Sequence, residues 1–295
     1  MAALVSLAKG SWRLDGITAA DYTEFLPIGF DPDAEPIDSS DLENPGYDGQ
    51  YSGVDYYRGP VWRLEVAVVG ATEGEAYTHL RRLKAAWRAE KYAKRAGSQA
   101  MLHHNWTGVE MVAFGRPRRF QSSDIAVTSK HCYYIVSLEF QLVDPILYEA
   151  VEKSVRLTIV PPVIRGLREV DLNEPLSTGG GGTRLGAIDA VGGTAPTPFT
   201  VKIAAPNGMR NPGFRIDGNS YQFPGLVLTN GQSLVVDSRA GTARVGSRSV
   251  LSLMSRRVRL KSVRLPVGRV DLAFSGVDSS QTAYADYLWR PAHYI

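Results

Sequence analysis

Residues 131–143 read HCYYIVSLEFQLV. Taken alternately, Tyr134, Val136, Leu138, Phe140 and Leu142 are uniformly apolar, while Tyr133, Ile135, Ser137, Glu139 and Gln141 are mixed. Successive side chains of a strand leave opposite faces, so the first set is expected to face a core. Asp144-Pro145 then predicts the end of the strand and the start of a linker. Upstream, residues 61–69, VWRLEVAVV, alternate and then become wholly apolar, as expected of a strand entering a covered sheet. Further strands are expected at 99–104, 109–114 and 118–128, and SWRLDGI at 11–17 predicts a short strand ending in an Asp15-Gly16 turn.

One helix interrupts this pattern, and it is expected over 72–95. Thr72-x-x-Glu75 forms a capping box, and Ala76, Leu80, Leu83 and Trp87 fall on one stripe. Lys91, Lys94 and Arg95 crowd the C-terminal end, where the helix dipole favours cations, and Gly97 follows as a stop. The remaining faces carry Arg81, Arg82, Lys84 and Arg88. Residues 31–58, rich in Pro, Gly, Asp and Tyr, show no apolar period and read as a long irregular loop. Tyr47, Tyr51, Tyr56 and Tyr57 argue against simple disorder and for packing against something, either the same domain or a neighbouring subunit.

The second half reads as strands without helices. SVRLTIV at 154–160 stops at Pro161-Pro162, and STGGGGTRLG at 177–186 is a glycine-dense loop. From residue 198 short apolar runs are separated by turn signals at Pro206-Asn207-Gly208, Gly218-Asn219 and Asn230-Gly231, a spacing that predicts hairpins in a β-sandwich. The expected fold is therefore mainly β: an α+β N-terminal domain with one long helix at 1–150, and a C-terminal β-sandwich at 151–295.

Composition fits a globular chain of 295 residues, with 44% hydrophobic and 21% charged positions. Residues 1–150 carry 15 Lys and Arg against 20 Asp and Glu, whereas residues 151–295 carry 18 against 10. Opposite signs on two halves suit head-to-tail packing or a charged partner. No apolar stretch is long enough for a membrane helix, and MAALVSLAKGSWRLDG lacks the pattern of a secretory signal, so no membrane anchor is expected. A single cysteine, Cys132, rules out a disulfide framework.

Chemistry-bearing patterns are missing. GGGGTRLG places Ala187 where a phosphate loop needs Lys. The histidines His79, His103, His104, His131 and His293 show no metal-ligand spacing, and adjacent His103 and His104 on a strand would face apart. The acidic run from Asp31 to Glu43 lacks the Gly and final Glu of a calcium loop. His131 and Cys132 would likewise face apart on a strand. The expectation is a non-enzyme with no metal and no cofactor. Residues 256–261, RRVRLK, predict a half-buried strand whose outer face, Arg257, Arg259 and Lys261, either blocks unwanted edge pairing or meets an acidic partner.

The order of features adds a resemblance. WRLDG, then YRGPVWRLEVAVVG, HLRRLKAAW, VEMVAFGRPRRF and LVDPILYE are followed by PGFRID, GLVLTNGQSLVVDS, RRVRL, LPVGRVDLAFSG and YLWRPAHY. This series resembles the distal tail proteins (Dit) among the minor tail proteins of long, non-contractile-tailed phages of actinobacteria. The resemblance implies a ring-forming N-terminal belt domain, a galectin-like C-terminal sandwich and a homohexamer at the tail tip of the virion. It also implies, as partners, the tail tube protein, the tail-associated hub and other minor tail proteins. Viral DNA would pass through the lumen without specific binding, and assembly would follow synthesis in the host cytoplasm. Trp62, Arg81, Arg82, Arg88, Tyr51 and Tyr56 are the candidate ring-interface residues, with the acidic segment 1–60 meeting the basic helix of the next subunit. Two other readings are a cell-wall-glycan-binding module using Tyr221, Phe223 or Trp289, and a wall hydrolase acting through an Asp or Glu.

Overall fold

In a computed structural model, the described residues are 6–34, 36–123, 129–159, 185–255 and 259–295. They form two compact units: residues 1–150 together with 293–295, and residues 151–292. The glycine run, the Pro161-Pro162 stop and Arg257 lie outside the described residues, apart from Leu185 and Gly186.

The first unit contains β1 (Trp12–Leu14), β2 (Ile17–Ala19), β3 (Phe25–Pro32), β4 (Ile37–Ser39), β5 (Leu42–Glu43), β6 (Gln50–Tyr51), β7 (Asp55–Tyr57) and β8 (Val61–Val69). The helices α1 (Glu73–Trp87) and α2 (Glu90–Ala93) follow, then β9 (Ala100–His104), β10 (Met111–Ser122) and β11 (Tyr133–Glu149). The strands β2-β1-β9-β10-β11-β8-β3 make one sheet, nearly closed on itself like a barrel. Its inner face holds Trp62, Leu64, Val66 and Val68 of β8 and the whole apolar set of β11. Against that face α1 lays Ala76, Leu80, Leu83 and Trp87, all buried. Trp87 meets Trp12 edge-on at 6.1 Å. The capping box forms: Glu75 N donates to Thr72 Oγ1 at 3.2 Å, and Ala71 N donates to the Glu75 carboxylate at 2.9 Å.

Four local expectations are corrected here. The helix does not run to 95. After Trp87 the next inward-facing positions are Glu90, Lys91 and Lys94, so there is nothing apolar to bury, and the chain breaks at Arg88-Ala89 into the separate turn α2. The piece expected at 109–114 and the described part of the one expected at 118–128 join in one strand, β10, with register shifts at Ala113/Gly115 and Pro117/Phe120; residues 124–128 lie outside the described residues. β11 continues past Asp144-Pro145 to Glu149. Ala113 opposes Leu147 and Gly115 opposes Leu142, so residues 143–146 bulge out and Pro145 needs no ladder partner. Cys132 lies before the strand, after a 3-10 turn (Ser129–His131), with φ of 56°.

The second unit is a two-sheet sandwich. One sheet orders β12 (Lys153–Thr158), β22 (Tyr284–Trp289), β14 (Phe199–Ala205), β18 (Gln232–Asp237), β19 (Thr242–Val245) and β20 (Arg248–Ser249). The other orders β13 (Leu185–Ile188), β21 (Val270–Val277), β15 (Met209–Ile216) and β16 (Asn219–Gln222), with β17 (Val227–Leu228) also on β15. Both sheets contribute to one core, including Val201, Ile203, Phe214, Phe274 and Tyr287. Of the three turn signals, only one makes a hairpin, and its centre is Asp217-Gly218 (φ 45° and 76°), joining β15 to β16. The other two are corners. Residues 206–208 carry the chain from β14 to β15 in the other sheet, and Asn230-Gly231 carries it from β17 back to β18. The described end of the basic run is not a strand: residues 260–262 form a 3-10 turn that buries Leu260 and leaves Arg259 and Lys261 exposed. The last strand, β23 (Ala292–Tyr294), has His293 and Tyr294 in the first unit and pairs there with β11.

Candidate assembly surface

The segment read as a loop is a β-ribbon. β3 and β8 pair with Pro32 opposite Trp62, and the same antiparallel register continues outward through Ile37 opposite Tyr57 to Ser39 opposite Asp55. With one residue of slip, Leu42 opposes Tyr51, and residues 44–49, NPGYDG, close the tip. The two legs thus extend the sheet into an arm roughly 35 Å long at strand rise. The sequence signal was present in that turn midway along the segment. Neither leg has an apolar period to accompany it.

The arm lacks a period because neither of its faces is buried. Leu42, Tyr47, Tyr51, Val54, Tyr56 and Tyr57 are all more than half exposed. Cross-links between the legs hold it together: Ser40 Oγ bonds both Val54 N and Val54 O at 3.0 Å, and Gly53 N donates to Asp41 Oδ1 at 2.6 Å. That amide, with Ser39, holds the Asp41 carboxyl below the usual carboxylate range. Asp38 pairs with Arg58, and Arg63 reaches both Asp31 and Asp33 at 3.3 Å. Residues 31–57 contain eight Asp or Glu and no Lys or Arg. Among the described residues, Glu43, Asp48 and Asp55 have no ion-pair partner, so the outer arm presents tyrosines interspersed with acids.

The predicted interface residues divide. Tyr51 and Tyr56 sit on the arm, 61% and 64% exposed. Arg81 on α1 and Arg88, the residue that caps its C-terminal end, are exposed with no acid in ion-pair range among the described residues, and Tyr77 is exposed on the same face as Arg81. Arg82 is exposed but already committed: it pairs with Glu24 at 2.9 Å and lies over the Phe25 ring. Trp62 is a correction. At 2% exposure it belongs to the core, because the alternation of β8 turns it inward with Leu64 and Val66. There it meets Phe30 and His104 edge-on at 5.2 and 4.9 Å, and Phe30 stacks on Trp106 at 4.3 Å. These four rings clamp the root of the arm to the end of β9.

His103 and His104 do face apart: His103 bonds Glu110 at 3.2 Å, and His104 is buried with neither ring nitrogen hydrogen-bonded. No cluster of three or more His, Cys, Asp or Glu side chains that could hold a metal occurs among the described residues. The proposed sugar-stacking aromatics Tyr221, Phe223 and Trp289 are all buried in the sandwich core and present no ring to a glycan.

No protein-family model matches the sequence, and no curated protein matches it. Solved structures do match. The SPP1 Dit (gp 19.1) protein, described as a paradigm of the hub adsorption apparatus in Gram-positive-infecting phages, aligns at a TM-score of 0.57 and 13% identity, covering 96% of this chain and 98% of that one. Chains of the phage p2 baseplate in its activated conformation, with Ca and with Sr, align at TM-scores of 0.55 and 0.57, each at 10% identity and covering 95% of this chain and 97% of theirs. Over nearly its whole length, this chain has the fold of the phage Dit protein.

Proposed function

We propose that this protein is a structural component of a phage tail tip, a distal tail protein whose first unit closes a ring by laying its arm on the α1 face of the next copy. The ring, a hexamer on the Dit resemblance, would join the tail tube to the hub, and DNA would pass through its lumen. Its instrument is shape and charge rather than reactive chemistry.

The exposed arm carries this reading. A two-stranded ribbon with no buried face is marginal in water. An aromatic, acidic ribbon projecting from a well-packed sheet therefore implies a surface that receives it. The exposed cations Arg81 and Arg88, with Tyr77 exposed on the same face as Arg81, would supply such a surface on another copy. A heterologous contact of that kind generates a ring when its rotation closes.

Light scattering and negative-stain imaging of the full chain test it. The wild-type protein is expected to form closed particles, and both the Tyr51→Ser/Tyr56→Ser and the Arg81→Glu/Arg88→Glu double variants are expected to run as folded monomers. A wild-type monomer at high concentration, or unchanged assembly in both variants, would overturn the proposal.

A further inference from the structure

A second feature, independent of the arm, lies at one end of the sandwich. A cavity of ≈ 490 Å³ opens between the corner at 206–208, the start of β15, β17 with the Asn230-Gly231 corner, and the end of β21. That volume lies within the range of small-molecule sites. Its floor is apolar, formed by buried Met209 and Leu228. Across the sheet Arg210 pairs in register with Val227 on one side and Val277 on the other, so two largely exposed valines are its cross-strand neighbours.

Arg210 has no carboxylate within ion-pair distance among the described residues, and no Asp or Glu lines the cavity. The neighbouring Asp278 is turned away into its own loop, accepting from Ser280 N, Thr282 N and Ala283 N, each at 2.8 Å. Asn207, Thr229, Asn230 and Ser279 line the same cavity. Asn207 is held in place by donating to Thr282 Oγ1 at 3.2 Å. Gly208, at φ +89°, keeps the space beside Asn230 open; a Cβ there would lie 3.2 Å from Leu228 O and 3.4 Å from Asn230 Oδ1.

These groups define a complementary ligand. Arg210 is exposed, and an unpaired guanidinium selects a carboxylate or phosphate. Amides and hydroxyls that both donate and accept match a hydroxylated body. A neutral sugar would leave Arg210 unused, and a bare anion would leave the amides unused. We infer that this cavity binds an anionic sugar or polyol unit, with Arg210 on the acid group and Asn207 and Asn230 on the hydroxyls.

Methyl NMR of the full chain, labelled at valine, reads this directly through Val227 and Val277. Glucuronate and glycerol 3-phosphate are titrated in parallel with glucose and inorganic phosphate. One or both organic anions are expected to move the two methyl signals saturably, with a Kd of about 10 mM or tighter. Glucose and inorganic phosphate should bind at least about tenfold more weakly, a gap of ~1.4 kcal/mol. Arg210→Gln should abolish the response, and Asn230→Ala should weaken it while leaving the free spectrum of the core intact. An equal response to inorganic phosphate, a response that survives Arg210→Gln, or no saturable shift with either organic anion would overturn the assignment.

Discussion

Replacing His104 with Phe isolates the energetic cost of an imidazole sealed inside the clamp at the arm's root. His104 is 3% exposed, edge-on to Trp62 and stacked near Trp106 at 5.8 Å, with no acceptor for a second proton. Burial pushes it from 6.5 down to about 4, with the neighbouring His103 a smaller contributor. The folded chain therefore keeps His104 neutral where the unfolded chain takes up a proton. Stability is intact above about pH 6.5 and falls as acid is added, until the folded form also protonates near 4. The loss amounts to about 2 kcal/mol by pH 5 and about 3 kcal/mol at the acid limit. The charged groups on the opposite side of β9, His103 with Glu110 and Arg13 with Glu110, are unchanged in the variant and cancel in the difference. Urea unfolding followed by tryptophan fluorescence is the assay, because four of the five tryptophans, Trp12, Trp62, Trp87 and Trp106, lie in the first unit. The wild type should lose about 2 kcal/mol more than His104→Phe between pH 7 and pH 5. His104→Leu should show the same flattened profile at lower absolute stability, since it loses ring packing but also cannot titrate. Parallel pH profiles for wild type and both variants would refute the reasoning.

Other substitutions probe the scaffold. Gly115→Ala places a Cβ 2.4 Å from Gln141 O and 2.5 Å from the Phe140 ring, and should cost roughly 1–3 kcal/mol in urea unfolding of the first unit. Thr72→Ala removes the acceptor for Glu75 N and should cost about 1 kcal/mol in the same measurement. In the second unit, partial burial works to raise the Asp278 carboxyl, but hydrogen bonds from Ser280, Ala283 and Thr282 outweigh it and leave it below the ordinary value. Its contribution is present at neutral pH and lost as the pH falls below about 4. Asp278→Asn should speed hydrogen exchange at Thr282 and Ala283 at pH 7, with the gap from wild type closing in acid.

Much of this protein could be read from local pattern. The inward sets of β8 and β11, the stripe of α1 and its cap at Thr72, and the mainly β class all follow from periodicity, which is set by residues within a few positions of one another. Pairing was not readable in the same way. Asn230-Gly231 and residues 206–208 reverse the chain whichever sheet receives it, so only the packed sandwich decides that they are corners rather than hairpins. Pro145 forbids a ladder bond, yet the strand continues because its partner β10 allows a bulge there. The arm stays hidden from any period because none of the described residues covers it. Arg81 and Arg82 are neighbours in sequence, but the fold places Glu24 beside only Arg82, and no local pattern says which of the two finds that partner.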